Sequence, residues 1–180
     1  MRLVPLDEAH DLDAFDCRHD EGMNAWLKTQ AMGNQKRDLS RVFVLVCANG
    51  VVRAFFAISS HFIQKHQVTA KDRRSFNEDL RPAQLLGRFA TDNSVKGGDV
   101  GVMLMDLVFE KYLEIIERTT CGYLCLDAKN PWLVQYYAEN FGFKAPGGVP
   151  SESGSTFMYL KTSAIQQRFL QPAEEREESA

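Results

Sequence analysis

The chain has 180 residues, 44% hydrophobic and 25% charged, with 21 Lys and Arg against 24 Asp and Glu for a formal net charge of −3. That length and composition fit one globular body with a full core and exclude a chain disordered over most of its length. Four cysteines (Cys17, Cys47, Cys121, Cys125) and four histidines lack zinc-ligand spacing, no N-terminal segment resembles a signal peptide, and no apolar run reaches 18 residues; a reduced, cytoplasmic protein without metal or membrane span is expected.

In chain order, "DEGMNAWLKTQAM" sets Met23, Trp26, Leu27 and Gln30 at helical spacing behind Asp20 as N-cap. "RVFVLVCANGVVRAFFAIS" reads as two strands, Val42 to Cys47 and Val51 to Ile58, joined at Asn49-Gly50, a dipeptide that accepts the positive φ angles of a tight hairpin. "AQLLGRFAT" is a third strand, in which Gly87 implies a bulge or a close backbone approach. "VMLMDLVFEKYLEIIER" is a long apolar helix beginning near residue 100. "GYLCLDA" is a strand, and in "CGYLCLD" Cys121 and Cys125 fall at same-face strand positions, where buried thiols are expected. "PWLVQYYAEN" is a helix with Pro131 in its first turn, and "TFMYLK" a final strand. The sum is an α/β (α+β) domain over residues 1–165, a mixed sheet covered by helices. "PAEEREESA" has four Glu against one Arg, so residues 166–180 read as an acidic, disordered tail.

Without that tail the body is near neutral, but its cations are bunched. "LKTQAMGNQKRDLSR" holds Lys28, Lys36, Arg37 and Arg41 against Asp38; "KDRRSFNEDLRPAQLLGR" holds Lys71, Arg73, Arg74, Arg81 and Arg88 against Asp72, Glu78 and Asp79. Such runs are either solvated faces or a positive surface for a polyanion such as RNA. "SVKGGDVGVMLMDLVFEKYL" is a glycine-rich turn between a strand and a helix, the unit in which backbone amides and the helix dipole converge on an anion. It matches neither the P-loop nor the dinucleotide fingerprint. Asp99 is out of place in it, because a carboxylate faces the anion unless it turns outward.

"SVKGGDVG" followed by an apolar helix resembles the pyrophosphate-binding motif [RQ]-x-x-G-x-[GA] of the Gcn5-related N-acetyltransferase (GNAT) family, with Lys96 first, Asp99 at the middle glycine and Gly101 last. "FDCRHDEGMNAWLKTQAMGNQKRDLSRVFV", "LLGRFATDNSVKGGDVG" and "LDAKNPWLVQYYAENFGF" are similar to successive blocks of the acetyltransferase toxins of bacterial toxin–antitoxin pairs, so the resemblance spans about residues 10 to 160. It implies the GNAT-like acyl-CoA N-acyltransferase fold, with a mostly antiparallel sheet. It implies acetyl-CoA as donor, held by the backbone of Phe89, Ala90 and Thr91, by the loop residues Lys96, Gly97, Gly98, Asp99, Val100, Gly101 and Val102, and by Asn130. It also implies a tyrosine that protonates the departing thiolate, whose thiol has a pKa of about 8.5. Counting forward from "LDAKN" makes that residue Tyr137; counting back from Gly142-Phe143 reaches Ala138, the segment being one residue long. An extra residue near Asn140 keeps Tyr137 in register, with Tyr136 as the alternative. The two cannot both face one thioester, since successive helical residues diverge by about 100°.

For the toxins the resemblance further implies acetylation of the α-amine of aminoacyl-tRNA, a ribbon-helix-helix antitoxin and a homodimer. Lys36, Arg37, Arg41 and Arg88 then become candidate phosphate contacts, which carry affinity and position rather than sequence. Two readings stand beside this one: the same chemistry on a small-molecule or protein amine, and a catalytically impaired binding protein of the same fold.

Overall fold

The computed structural model describes residues 1–18, 20–95, 99–147 and 154–170. Six strands form one mixed sheet in the order β1-β2-β3-β4-β5-β6, with helices flanking it. The chain divides into two compact units: Met1–His61 with Leu85–Lys111, and Phe62–Gln84 with the described part of Tyr112–Ala180.

In the first unit β1 (Arg2–Pro5) pairs antiparallel with β2 (Arg41–Val46), and β2 with the first half of β3 (Val52–Gln64), from Arg41↔Ile58 to Val46↔Val52. The β2–β3 turn differs in kind from the expected tight hairpin. Gly50 has φ 79° and Asn49 does not share it. Gly50 N donates to Cys47 O and Cys47 N to Val51 O, each at 3.0 Å. A single left-handed residue closing a three-residue loop is what the extra residue Ala48 requires.

Helix α1 (Glu21–Thr29) starts where Asp20 accepts from Met23 N at 3.0 Å and buries Asn24, Trp26 and Leu27. The single expected helix is broken at Gln30 and resumes as α2 (Ala31–Lys36). Thr29 Oγ1 donates back to Ala25 O at 2.7 Å, a bond that bends helices, and the break turns Ala31 fully into the core. There Phe55 lies 5.4 Å from Phe15 edge-on and 5.9 Å from Trp26 face-on. β4 (Leu80–Thr91) and α4 (Val100–Ile116) follow the expected strand and helix.

In the second unit β5 (Tyr123–Ala128) pairs antiparallel with β6 (Thr156–Lys161), from Tyr123↔Lys161 to Ala128↔Thr156. α3 (Ala70–Arg73) and α5 (Pro131–Phe141) belong here, as does α6 (Thr162–Leu170), which takes residues 166–170 of the expected tail into a helix. Cys125 is buried in β5 with its thiol pushed far up by desolvation, while Cys121 lies in the connection before the strand, also buried. Both are free. No helix among the described residues is long and apolar enough to cross a membrane.

Candidate functional site

The strand-turn-helix segment of the first unit is tied down at its entry. β4 runs on through Gly87, and a Cβ there would meet nothing within 4 Å, so close approach of protein backbone is not what the glycine serves. Phe89, Ala90 and Thr91 are half-buried, with Ala90 resting on the apolar cluster around Phe15 and Trp26. The next residue, Asp92, is almost wholly buried. Its carboxylate accepts from Asp16 N at 2.8 Å, from Ser94 N at 2.9 Å, from the Ser94 hydroxyl and from Arg53 Nη1 at 3.2 Å. Burial alone would raise this carboxyl, but those donors together hold it below the usual carboxylate range. Asn93 N donates back to Asp16 O at 2.8 Å, so the exit of β4 is stitched to the segment before α1.

Lys96, Gly97 and Gly98 lie outside the described residues. Beyond them Asp99 is exposed, and its backbone carbonyl accepts from Met103 N at 2.8 Å. That is the first rung of α4, which leaves the amides of Val100, Gly101 and Val102 ahead of the ladder. Amides at the positive end of a 17-residue helix suit a phosphate. Among the described residues nothing donates to the Asp99 carboxylate, so the side chain is not spent on capping the amides an anion needs.

The basic candidates of this unit separate into two groups. Lys36 ends α2, Arg37 caps it and Arg41 opens β2, so the three share one connection. Each has a local partner: Lys36 pairs with Glu8, Arg37 Nε donates to Gly33 O at 3.1 Å, and Arg41 meets Asp38 at 2.7 Å. The ion pairs are well exposed, hence weak and open to exchange. Arg88 is elsewhere, its guanidinium 5.2 Å over the Trp26 ring with Nη1 on Gly87 O at 2.7 Å. It stacks on the core side of α1.

In the second unit α5 carries both remaining candidates. Asn130 is its N-cap, the side chain accepting from Leu133 N at 2.9 Å, and Pro131 follows in the first turn. Tyr137 is seven residues on, two turns along the same face. The helix runs regularly to Phe141 and stops at Gly142, whose φ of 78° only glycine adopts easily. Tyr137 is buried, packed at 5.9 Å from Phe143, whereas Tyr136 is half-buried and turned to the outer side. Desolvation, and then the neighbouring Tyr136, push the Tyr137 phenol above its ordinary value, so it carries its proton throughout the neutral range.

Sequence reasoning missed a second polar centre in this unit. Asp72, at 1% exposure, accepts from Lys161 Nζ at 2.5 Å, Tyr159 Oη at 2.6 Å, Lys144 Nζ at 2.9 Å and Thr69 Oγ1 at 3.1 Å. Burial works against the charge, but the four donors outweigh it and hold the carboxyl well below the usual range. A trace was legible: Thr69-Ala70-Lys71-Asp72 has capping-box spacing. Asp92 left a comparable one, since an aspartate two before Ser94 forms an Asx turn. The second basic run is also divided. Arg81 lies over the Phe76 and Tyr123 rings at 5.5 and 5.8 Å, so it packs rather than reaching out. Arg73 lines an open cleft of about 540 Å³ with Gln64, Lys65, His66, Asp79 and Leu80.

No family model matches the chain. Solved structures do, over most of its length. A tyrosine-to-phenylalanine mutant of KacT is 21% identical with a TM-score of 0.80, covering 94% of this chain and 100% of KacT. AtaT complexed with acetyl-methionyl-tRNAfMet is 19% identical at a TM-score of 0.82, covering 93% of this chain and 98% of AtaT. A bacterial toxin is 15% identical at a TM-score of 0.85, covering 95% and 97%. AtaT has also been solved with the C-terminus of the antitoxin AtaR and acetyl-CoA. The fold is that of these GNAT toxins of toxin–antitoxin systems.

Proposed function

We propose that this protein is an acetyl-CoA-dependent N-acetyltransferase of the toxin type, acting on the α-amine of aminoacyl-tRNA. The observation that carries the reading is its fold-level match to AtaT, which has been solved with acetyl-CoA and with acetyl-methionyl-tRNA. Local features support it: the amides of Val100, Gly101 and Val102 ahead of the α4 ladder, an exposed Asp99 whose carboxylate accepts from none of the described residues, and a buried, protonated Tyr137 on α5.

In this reading the backbone of Phe89, Ala90 and Thr91 aligns the pantetheine arm. The loop residues Lys96 to Val102 take the pyrophosphate, and Asn130 adds a contact to the coenzyme. The neutral amine attacks the thioester carbonyl carbon, a C–N bond forms, and negative charge on the oxygen is met by donors placed in advance. As the tetrahedral species collapses the C–S bond breaks, Tyr137 delivers its proton to the sulfur, and the nitrogen releases a proton that restores the phenol. A phenol above pKa 10 is a weaker acid than a thiol of about 8.5. Full transfer is therefore favourable only when coupled to loss of the nitrogen's proton, which becomes strongly acidic as the amide forms. Lys36, Arg37 and Arg41 exchange their carboxylate and carbonyl partners for RNA phosphates, with Arg88 steadying α1 behind them.

A cytoplasmic homodimer held by a ribbon-helix-helix antitoxin belongs to the same proposal, supported by AtaT having been solved with AtaR. The experiment is transfer of labelled acetyl from acetyl-CoA to charged tRNA by the purified protein. With Lys36→Ala and Arg37→Ala combined, RNA affinity should fall and the slope of log K against log salt should shrink by about 1.4 to 1.8, the loss of two phosphate contacts. The mild overall acidity and the Lys36–Glu8 and Arg41–Asp38 pairs favour a second reading, the same chemistry on a small-molecule or protein amine. Acetylation of a free amine, with charged tRNA left unmodified, would select it.

A further inference from the structure

Of the second basic run only Arg88 has a place in the proposed reaction, while Arg73 borders the open cleft of the second unit. Two parts of that cleft's wall are braced. The 3₁₀ turn Lys65–Gln67 is closed by a reciprocal cap: Gln64 N donates to Gln67 Oε1 at 2.8 Å, and the Gln64 side chain accepts from Gln67 N. Arg73, the last residue of α3, is exposed, yet backbone holds its guanidinium: Nε donates to Val68 O at 3.2 Å and Nη2 to His66 O at 3.3 Å. Nη1 has no acceptor among the described residues. A guanidinium oriented along one edge and open on the other is a fork set in advance for a phosphate. Lys65 and Asp79 line the same cleft, and Lys65 N donates to Asp79 O at 2.8 Å. Among the described residues no ion pair links Asp79 to Lys65 or Arg73, and the Lys65 ammonium has no side-chain partner. Lys65, Lys71, Arg73 and Arg74 outnumber Glu78 and Asp79 here, since Asp72 is spent on Lys144 and Lys161.

One neighbour bears on the kind of anion. Phe62 is 59% exposed on β3, with no ring partner among the described residues. It stands two residues before Gln64, so both side chains leave the same face of the strand, and Gln64 lines the cleft. A free phosphate or an acidic peptide makes no use of a bare aromatic ring beside the cations. Single-stranded RNA uses both, a base on the ring and a phosphate on the charges. We propose that this cleft is an RNA subsite, in which Arg73 and Lys65 take a backbone phosphate and Phe62 stacks the adjoining base. It rests on the aminoacyl-tRNA reading above and adds contacts that Lys36, Arg37 and Arg41 do not supply.

The test is the fluorescence anisotropy of a labelled tRNA titrated with the full chain over a series of salt concentrations. Lys65→Ala should weaken binding and shrink the slope of log K against log salt by about 0.7 to 0.9, the loss of one phosphate contact. Lys65→Arg should keep the natural slope. Phe62→Ala should weaken binding about five- to 150-fold and leave the slope unchanged, as loss of one stacked base does. Asp79→Asn should tighten binding, by at most about tenfold, a gain that misfolding does not produce. If the natural protein acetylates charged tRNA while Lys65→Ala, Phe62→Ala and Asp79→Asn leave affinity and slope as they were, the cleft assignment falls and the acetyltransferase reading stands. If the natural protein binds no tRNA at low salt, the RNA reading falls and takes the cleft assignment with it. Loss of inorganic-phosphate binding or of poly-glutamate binding in Lys65→Ala, with tRNA affinity unmoved, overturns the RNA assignment in favour of a free phosphate or an acidic peptide.

Discussion

Replacing Asp72 by alanine removes the one carboxylate to which Thr69, Lys144, Tyr159 and Lys161 all donate. The four bonds do not count equally. The side chains of Lys144 and Lys161 are 45% and 34% exposed, so after the substitution both ammonium groups turn to water, and each loss is that of an ion pair near the surface, about 0 to 1 kcal/mol. Tyr159 is fully buried, and its charge-assisted bond is worth about 1.5 to 3 kcal/mol, part of it the cost of leaving the hydroxyl without an acceptor. Thr69 adds a fraction. Relief of carboxylate desolvation offsets some of this, which leaves a net loss of about 2 to 4 kcal/mol, at or below the range for breaking a buried pair. For a chain of this size that lowers Tm by roughly 5 to 15 °C.

The same carboxyl sets a pH signature. Its folded pKa is depressed, so its stabilisation is complete above the unfolded value of about 3.9 and is lost as pH falls from there through the folded value. Thermal melts by circular dichroism between pH 3 and 7 should therefore show the natural protein losing Tm below about pH 4 more steeply than Asp72→Asn. A Tm for Asp72→Ala within about 2 °C of the natural protein, or parallel acid limbs for the two chains, would refute the reasoning.

Tyr137→Phe should lower kcat about 10²- to 10⁴-fold with little change in acetyl-CoA affinity, as removal of a general acid does; unchanged single-turnover rates would sink the assignment. Because burial keeps that phenol protonated, the kcat–pH profile should have no falling limb between pH 7 and 9.5 that belongs to Tyr137. Asp99→Gly should tighten acetyl-CoA by at most about tenfold, since an exposed carboxylate near a phosphate is screened by water. A hundredfold gain in calorimetry would mean that the carboxylate opposes the anion directly.

Much of this protein was legible in one dimension. The β-branched runs around Asn49-Gly50, the apolar helix after the glycine turn, Asp20 as a cap and Pro131 as a helix start all act within a few residues of themselves, and each appears where local chemistry puts it. The three ordered blocks carried the family likeness for the same reason, because a fold's motifs are short and their order is linear. β1, α3 and the break at Gln30 were not legible. Four residues of "RLVP" have no periodicity to read, and they are a strand because β2 accepts them in register. At residue 30 a helix-forming sequence yields to a threonine back-bond and to the burial of Ala31.

Among the site residues, the sequence by itself determined which types are available and which turn or helix bears them: amides before α4, Tyr136 and Tyr137 on α5, and cations bunched at Lys36 to Arg41. Only the tertiary structure decided their allegiance. Arg88 and Arg81, indistinguishable in sequence from the solvated cations, lie on aromatic rings, while Asp72, one carboxylate in a run of charges, is a buried centre. The reason is range. Propensity and capping act over about four residues, the reach of a helical turn, whereas Asp72 is held by Lys144 and Lys161, 72 and 89 positions away, and no local pattern encodes partners at that separation.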